Sequence, residues 1–199
     1  MTRIIGGYAG SLSLVVPKNG TRPTSDRVRE AVFSALDARG MLPGAHVLDL
    51  YAGSGALGLE AASRGAARVT LVESAAAAVR ACRRNAAAVV AAAAGRVDVP
   101  TIDIRATTVM RFLEREAHTG AGWNVVFLDP PYALAAGEMA SALRRVIPGL
   151  APGASIVAER GVHRDAFTPP AGLEEVRQSR YGDTVVSWLS RAPAREASR

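Results

Sequence analysis

The sequence predicts an α/β fold built on a mostly parallel β-sheet with helices on both faces. Five short apolar runs alternate with helical stretches between residues 46 and 159, and strands that alternate with helices of this length pair in parallel. The chain then changes character, because two strand-like runs flank the turn YGD and indicate an antiparallel hairpin. We therefore expect a doubly wound sheet of seven strands whose last two are antiparallel.

Apolar periodicity places the individual elements. A short strand pair is predicted over Arg3 to Val16, and a loop rich in Pro, Gly and Thr follows it. The first helix is capped by Ser25 or Asp26 and ends at Gly40. Later strands are expected at His46 to Leu50, Arg68 to Glu73, Val97 to Ile104, Val125 to Asp129, Ser155 to Glu159, Leu173 to Arg180 and Thr184 to Ser190. Later helices are expected at Ala56 to Arg64, Ala75 to Ala94, Thr107 to Glu116 and Glu138 to Ile147.

These elements divide the chain into three parts. Residues 1–24 form an N-terminal β-hairpin extension with its loop, residues 25–191 form one α/β domain, and residues 192–199 form a disordered tail.

Composition narrows the classes of function. The net charge of +6 and the pI of about 10.4 favour a polyanionic partner, although a coding bias toward Ala and Arg would also produce them. Cys82 is the single cysteine and the three histidines are scattered, so neither an internal disulfide nor a metal site is expected. The sequence shows no signal-peptide pattern and no apolar stretch of membrane-spanning length, which predicts a cytoplasmic protein without a membrane partner.

A glycine-rich turn follows the first strand of the domain. In VLDLYAGSGALG, Gly53, Gly55 and Gly58 match the spacing G-x-G-x-x-G, and Glu73 lies 20 residues after Gly53 at the end of the next strand. Ligands of such sheets bind beyond the carboxyl ends of the strands, where Glu73 is placed to hold ribose hydroxyls. Taken alone, this spacing predicts a dinucleotide enzyme.

Asp49 argues against a dinucleotide. Its carboxylate lies just upstream of the glycines, where it would oppose a pyrophosphate bound to the amides of the turn. S-adenosylmethionine has no phosphate and carries a sulfonium and an ammonium group, so an acidic strand end beside a glycine turn complements it. The alternative is that Asp49 caps amides of the turn itself and contacts no ligand.

The stretch DPPY ends the strand expected beside the first one. Asp129 and the carbonyl of Pro130 can accept the two hydrogens of an exocyclic nucleobase amine, which orients its lone pair toward a sulfonium methyl group. Tyr132 can stack on a base that has left its own stack. The alternative is a proline-stiffened turn in which Asp129 caps the next helix and Tyr132 only packs.

Several of these motifs together resemble a known family. RIIGG near the start, RPTSDRVREAVF from Arg22, DLYAGSGALGLEAASRGA from Asp49, DPPY from Asp129 and YGDT from Tyr181 are similar to the RsmD-type methyltransferases of small-subunit ribosomal RNA. The resemblance covers nearly the whole chain, and RPTSDRVRE is its most specific part. It implies a Rossmann-like class I methyltransferase domain over residues 25–191 that uses S-adenosylmethionine to methylate the N2 amine of a guanine in 16S rRNA, within an assembled or partly assembled small subunit.

The resemblance also implies residue roles. The cofactor would be contacted by Asp49, Ala52, Gly53, Gly55 and Glu73, and the reacting amine by Asp129, Pro130 and Tyr132. Many relatives recognise the adenine through an acid or amide after the third strand, where this chain has Thr107 and Thr108, so one of these threonines or Asp103 would serve. Phosphate contacts would come from Arg3, Lys18, Arg22, Arg27 and Arg29. Alternatively, Arg27 and Arg29 pair with the neighbouring Asp26 and Glu30.

Three other functions are compatible with parts of the sequence. A DPPY methyltransferase could act on adenine N6, cytosine N4 or a protein glutamine. The literal glycine spacing would suit a nicotinamide oxidoreductase, and the basic charge would suit an RNA-binding assembly factor without catalysis.

Overall fold

The computed structural model describes residues 2–17, 26–116, 120–131, 134–162 and 168–193. Its strands are β1 (His46–Leu50), β2 (Arg68–Glu73), β3 (Thr101–Ala106), β4 (Trp123–Leu128), β5 (Leu150–Gly161), β6 (Leu173–Tyr181) and β7 (Thr184–Arg191). Its helices are α1 (Asp26–Ala38), α2 (Ala56–Ser63), α3 (Ala76–Ala92), α4 (Val109–Glu116) and α5 (Ala136–Val146), with a 3-10 turn at Ile147–Gly149. Within the described ranges, none of the helices combines the length and the apolar character needed to span a bilayer.

The strands form one seven-stranded sheet in the order β3-β2-β1-β4-β5-β7-β6. The pairs from β3 to β5 are parallel, and β7 pairs antiparallel with both β5 and β6. The predicted fold class, with its antiparallel C-terminal hairpin, is confirmed. The strand order runs from β1 through β2 to β3 on one side and through β4 to β5 on the other, so it reverses between β1 and β4. The neighbouring carboxyl ends of β1 and β4 therefore form the crevice in which such sheets bind ligands.

Two apolar layers cover the sheet. On one face α1, α2 and α3 pack against residues such as Val47, Val69 and Phe127. On the other face α4 and α5 pack against residues such as Leu48, Val126 and Ile156. The alternation of these side chains along β1 and β4 explains why both strands are mostly apolar, as buried parallel strands are.

Most predicted bounds lie within two residues of the observed ones, but the fifth strand begins at Leu150 and not at Ser155. Two further predictions differ from the structure. The third strand begins at Thr101 and not at Val97, because the pairing with β2 starts at Arg68 and Thr101 and none of the described strands pairs with the residues before them. Val97 is accordingly 99% exposed. Residues 2–17 do fold back on themselves, but the predicted strand pair is reduced to a single antiparallel bridge between Arg3 and Ser13.

The N-terminal extension is held against α2 by polar contacts. The buried carboxylate of Glu60 accepts hydrogen bonds from the backbone N–H groups of Ile5 (2.6 Å) and Gly6 (2.8 Å). The hydroxyl of Ser63 accepts one from the N–H of Ala9 at 2.9 Å. These contacts fix the GGYAG turn on the domain. At the other terminus, the N–H of Ala192 donates to the carbonyl of Gly172, so the predicted tail from Ala192 begins with an anchored residue, and residues 194–199 lie outside the described ranges.

Candidate active site

The glycine turn joins β1 to α2 and is shaped by backbone conformations that few residues adopt. Gly53 (φ 59°) and Gly55 (φ 81°) lie in the left-handed region, where glycine is favoured. Tyr51 also has a positive φ of 63°, which is uncommon outside glycine and marks local strain at the strand exit. Gly58 serves close packing, since a Cβ there would lie 2.4 Å from a methyl carbon of Leu71.

Asp49 is fully enclosed beneath this turn. Its side chain is 1% exposed, and one carboxylate oxygen accepts a hydrogen bond from the N–H of Gly58 at 2.8 Å. Burial raises the pKa of Asp49 to about 7, opposed by the Gly58 hydrogen bond and reinforced by the charges of Asp129 and Glu73. The bond to Gly58 is the amide-capping contact that the sequence offered as an alternative. A cofactor contact by Asp49 therefore stays a prediction and would act mainly through its charge.

Glu73 stands at the carboxyl end of β2, across from the turn. One oxygen accepts the N–H of Gly53 at 2.9 Å, and the other accepts the N–H groups of Ser74 (2.8 Å) and Ala75 (2.7 Å). Three backbone donors hold the carboxylate in one orientation while the side chain stays partly exposed. Carboxylate oxygens can accept more than one bond each, so a ribose diol can still be held by this group.

Asp129 follows β4 directly and lies at the same edge. Leu128, the last residue of β4, pairs with Leu50, the last residue of β1. By this register Asp129 lies at the carboxyl edge beside the end of β1, and its charge raises the pKa of Asp49. Asp129 and Pro130 are both half-buried, whereas Tyr132 lies outside the described residues. The structure thus brings Asp49, Glu73 and Asp129 together at one strand edge.

Two residues of α3 hold the back of the glycine turn, and the sequence did not identify either. The thiol of Cys82 donates to the carbonyl of Gly53 at 3.2 Å. Burial, followed by the charges of Asp49 and Glu73, raises the pKa of Cys82 to about 12, so the thiol stays protonated. The amide of Asn85 donates to the carbonyls of Ser54 and Val15, both at 2.9 Å, and so ties the turn to the N-terminal extension.

The candidates for adenine recognition are separated by the register of β3. Ala106 pairs with Glu73 at the carboxyl edge, and Thr107 follows with its N–H bonded to the carbonyl of Glu73 at 3.0 Å. Thr108 caps α4 through a 3.3 Å bond from the N–H of Arg111. Asp103 lies three residues before the end of β3 and pairs with Arg105 at 2.7 Å. Asp103 therefore lies farther from the carboxyl edge than either threonine, and the residue that recognises the adenine stays a prediction.

The basic residues predicted to contact phosphate differ in their surroundings. Arg3 and Arg27 are exposed, which is compatible with phosphate contacts, and Lys18 and Arg22 lie outside the described residues. Arg29 is 0% exposed, and one of its Nη atoms lies 2.6 Å from a carboxylate oxygen of Asp26. The prediction that Arg29 is a surface phosphate contact is wrong, because the inner face of α1 buries it.

The negative charge at the carboxyl edge of the sheet favours a cationic ligand over an anionic one. Three carboxyl groups converge on the glycine turn, and among the described residues no basic group contributes to the pKa of Asp49. A cation gains from this field, whereas a pyrophosphate would lose. A Cβ added at Gly53 would meet nothing within 4 Å in the described part of the chain, so a ligand can approach that backbone closely. These features fit S-adenosylmethionine, for which the glycine turn and Glu73 are the candidate contacts, and they disfavour a dinucleotide.

A sheet of this strand order, with its antiparallel C-terminal pair and an acidic site that suits a cationic cofactor, is that of the class I S-adenosylmethionine-dependent methyltransferases. Comparison with known proteins gives the particular family. The family model described as conserved hypothetical protein 95 matches residues 2–190, and the chain belongs to this family, that of the RsmD-type methyltransferases.

Similar sequences and structures support this assignment to the family. The ribosomal RNA small subunit methyltransferase D of Escherichia coli K12 is 37% identical over 184 residues, which are 92% of this chain and 86% of the relative. The structure of a hypothetical protein from Thermus thermophilus has a TM-score of 0.77 at 31% identity, covering 94% of this chain and 98% of that one. Magnesium protoporphyrin IX methyltransferase from Synechocystis, solved with bound S-adenosylmethionine, has a TM-score of 0.60 at 16% identity over 87% of each chain, a likeness of fold alone.

Proposed function

We propose that this protein methylates ribosomal RNA of the small subunit, and that its acceptor is the exocyclic N2 amine of one guanine in 16S rRNA. The net charge of +6 suits an RNA partner. The relative from E. coli is named for action on small-subunit ribosomal RNA, and it matches 92% of the chain. An amine acceptor follows from the chemistry at the end of β4.

The observation that carries the proposal is the position of Asp129. Asp129 follows β4, whose last residue pairs with the last residue of β1. Its negative charge raises the pKa of Asp49 beneath the glycine turn. A carboxylate at this edge of the sheet would lie next to the reactive part of a cofactor held by the glycine turn. It has no role in hydride transfer, but it suits an amine that must be held by its hydrogens.

Positioning and electrostatics supply the catalysis. The cofactor supplies a methyl group made electrophilic by its sulfonium. Asp129 and the carbonyl of Pro130 accept the two N–H bonds of the amine, which reduces its conjugation with the ring and directs its lone pair at the methyl carbon. A cofactor held by the glycine turn and Glu73 would supply the methyl group and retain the electrons of its S–C bond. The amine then carries a positive charge, so its proton leaves readily to Asp129 or to water.

Nucleoside analysis tests the acceptor. Small subunits from a strain lacking this activity are incubated with the protein and S-adenosylmethionine carrying a deuterated methyl group, and the digested RNA is analysed by mass spectrometry. We expect one labelled nucleoside, N2-methylguanosine, at one site. Label on N6-methyladenosine or N4-methylcytidine would replace the guanine acceptor by another base. Label on protein alone, or none in any rRNA, would contradict the proposal.

A further inference from the structure

Arg29 is a buried cation whose hydrogen-bonding capacity is largely unused. It is 0% exposed, and its one ion pair within the described residues joins an Nη atom to Asp26, whose side chain is 53% exposed. Its Nε and its other Nη atom are buried without a hydrogen-bond partner in the part of the chain that the structure describes. A guanidinium left in this state is costly, because its desolvated N–H groups receive nothing in return. The unused donors are therefore available to a ligand that reaches this end of α1.

The position of Arg29 along the sheet follows from the packing of α1. Gly40 and Met41, just past the end of α1, lie around a shallow depression together with Asn124 at the start of β4. Further along, the rings of Phe33 and Phe127 are in contact, with centroids 5.5 Å apart. The helix therefore runs antiparallel to β4, and its beginning lies at the carboxyl edge of the sheet.

Helix and strand spacing then place Arg29 level with Asp129. Arg29 precedes Phe33 by four residues, a rise of about 6 Å on the same helix face. Asp129 follows Phe127 by two residues, a rise of about 7 Å on the same face of the sheet. Both steps lead from the contacting phenylalanines toward the carboxyl edge. The start of α1, with Arg29, is thus at the same edge of the sheet as Asp129, which is proposed to hold the amine.

We infer that Arg29 is a specificity residue that donates a hydrogen bond to the O6 oxygen of the target guanine. The inference rests on the proposed function and deepens it. Guanine carries the 2-amine at one end of its base-pairing edge and O6 at the other, so acceptors at Asp129 and a donor at Arg29 would hold both ends of one base. Arginine is the side chain that most often reads guanine through O6. In this arrangement the buried guanidinium receives its missing acceptor only when the correct base enters.

A substrate that keeps the amine but lacks O6 tests this directly. Small subunits are reconstituted with ligated 16S rRNA that carries either guanine or 2-aminopurine at the methylated position. We measure kcat/KM for both substrates with the wild-type protein, with Arg29→Met and with Arg27→Met. Arg27 is exposed on the same helix, and a phosphate contact carries no base information, so its variant changes both rates by the same factor. Effects of the missing N1 hydrogen of 2-aminopurine are common to all three proteins and cancel.

In Arg29→Met, we expect the preference for guanine over 2-aminopurine to fall about tenfold to a hundredfold, through loss of activity on guanine alone. The melting temperature should stay level or rise, since an unsatisfied buried charge is replaced by an apolar side chain of similar length. An unchanged preference would overturn the inference, even if both rates fell together. If Arg29→Met does not fold, Arg29→Lys decides by the same ratio, because it keeps the charge with altered donor geometry. Wild-type protein that methylates no guanine would overturn the proposed function itself.

Discussion

The buried carboxyl group of Asp49 should make cofactor binding depend on pH. Burial raises the pKa of Asp49 to about 7 in the free protein, so the group is about half protonated at pH 7 and about nine-tenths protonated at pH 6. A bound sulfonium and ammonium group favour the ionised carboxylate. Binding must then displace a proton at low pH, and the affinity for S-adenosylmethionine should fall about tenfold, or about 1.4 kcal/mol, from pH 8 to pH 6.

Asp49→Asn isolates this contribution. The amide can still accept the N–H of Gly58, but it does not titrate. Calorimetric titration of both proteins from pH 5.5 to pH 8.5 measures the dissociation constants. The amino group of the cofactor titrates in the same range, yet it does so equally with both proteins. We expect the variant to bind more weakly at pH 8 and to lack the wild-type fall toward pH 6. Parallel pH profiles for the two proteins would refute the reasoning.

The same shift in pKa has a consequence for the stability of the free protein. The folded-state pKa of Asp49, about 7, lies above its ordinary value of 3.8, so the native state binds more protons than the unfolded state between these values. Stability is therefore lost as the pH rises from about 4 to about 7, by up to about 4 kcal/mol from this group. Asp49→Asn should unfold at a higher urea concentration than the wild type at pH 8, with a smaller difference at pH 5. A variant that is no more stable at pH 8 would contradict the shift.

Three further substitutions test the packing and holding of the site. Gly58→Ala places a Cβ 2.4 Å from a methyl carbon of Leu71 and should lower the free energy of unfolding by about 1–3 kcal/mol. The control Gly137→Ala, at a position in α5 with open space around it, should raise the free energy of unfolding by up to about 1 kcal/mol. Equal urea midpoints for the two variants would argue against close packing at Gly58. Glu60→Ala leaves two backbone N–H groups and the side chain of Arg64 without their buried acceptor, and should lower the free energy of unfolding by about 3–5 kcal/mol. A change in melting temperature as small as that of a surface substitution would contradict this anchoring role. Glu73→Gln should weaken cofactor binding at least about tenfold by calorimetry, and unchanged affinity would exclude a ribose contact.

The sequence predicted the sheet well because its signals are local. The alternation of apolar runs with helical stretches is enough to predict parallel pairing of the strands. β1 and β2 begin and end at the residues that the pattern indicated. The glycine spacing was equally informative, since Gly53 and Gly55 adopt positive φ angles and Gly58 permits the close approach of α2 to the sheet. The β3 boundary was wrong because Val97 and Val99 look like strand residues, and only the pairing with β2 shows that they lie beyond it.

The sequence was less informative where distant segments meet. A glutamate on a helix is expected to face solvent, yet Glu60 is buried because Ile5 and Gly6, far away in the chain, bring unpaired N–H groups to it. Arg29 was placed on the surface for the same reason, since charge alone does not reveal which face of α1 is covered. The contacts of Cys82 and Asn85 with the glycine turn also join distant residues. No spacing rule connects them to the turn.

The central claim is that Asp129 acts on the acceptor amine and not on the cofactor. The most direct test is a single-turnover methyl-transfer assay on small subunits with Asp129→Ala, paired with the dissociation constant for S-adenosylmethionine. Asp98, an exposed acid in the loop before β3, gives the matched control Asp98→Ala. We predict that Asp129→Ala lowers the transfer rate at least about a hundredfold while the dissociation constant changes less than about threefold, and that Asp98→Ala changes neither. Wild-type transfer by Asp129→Ala would contradict the mechanism.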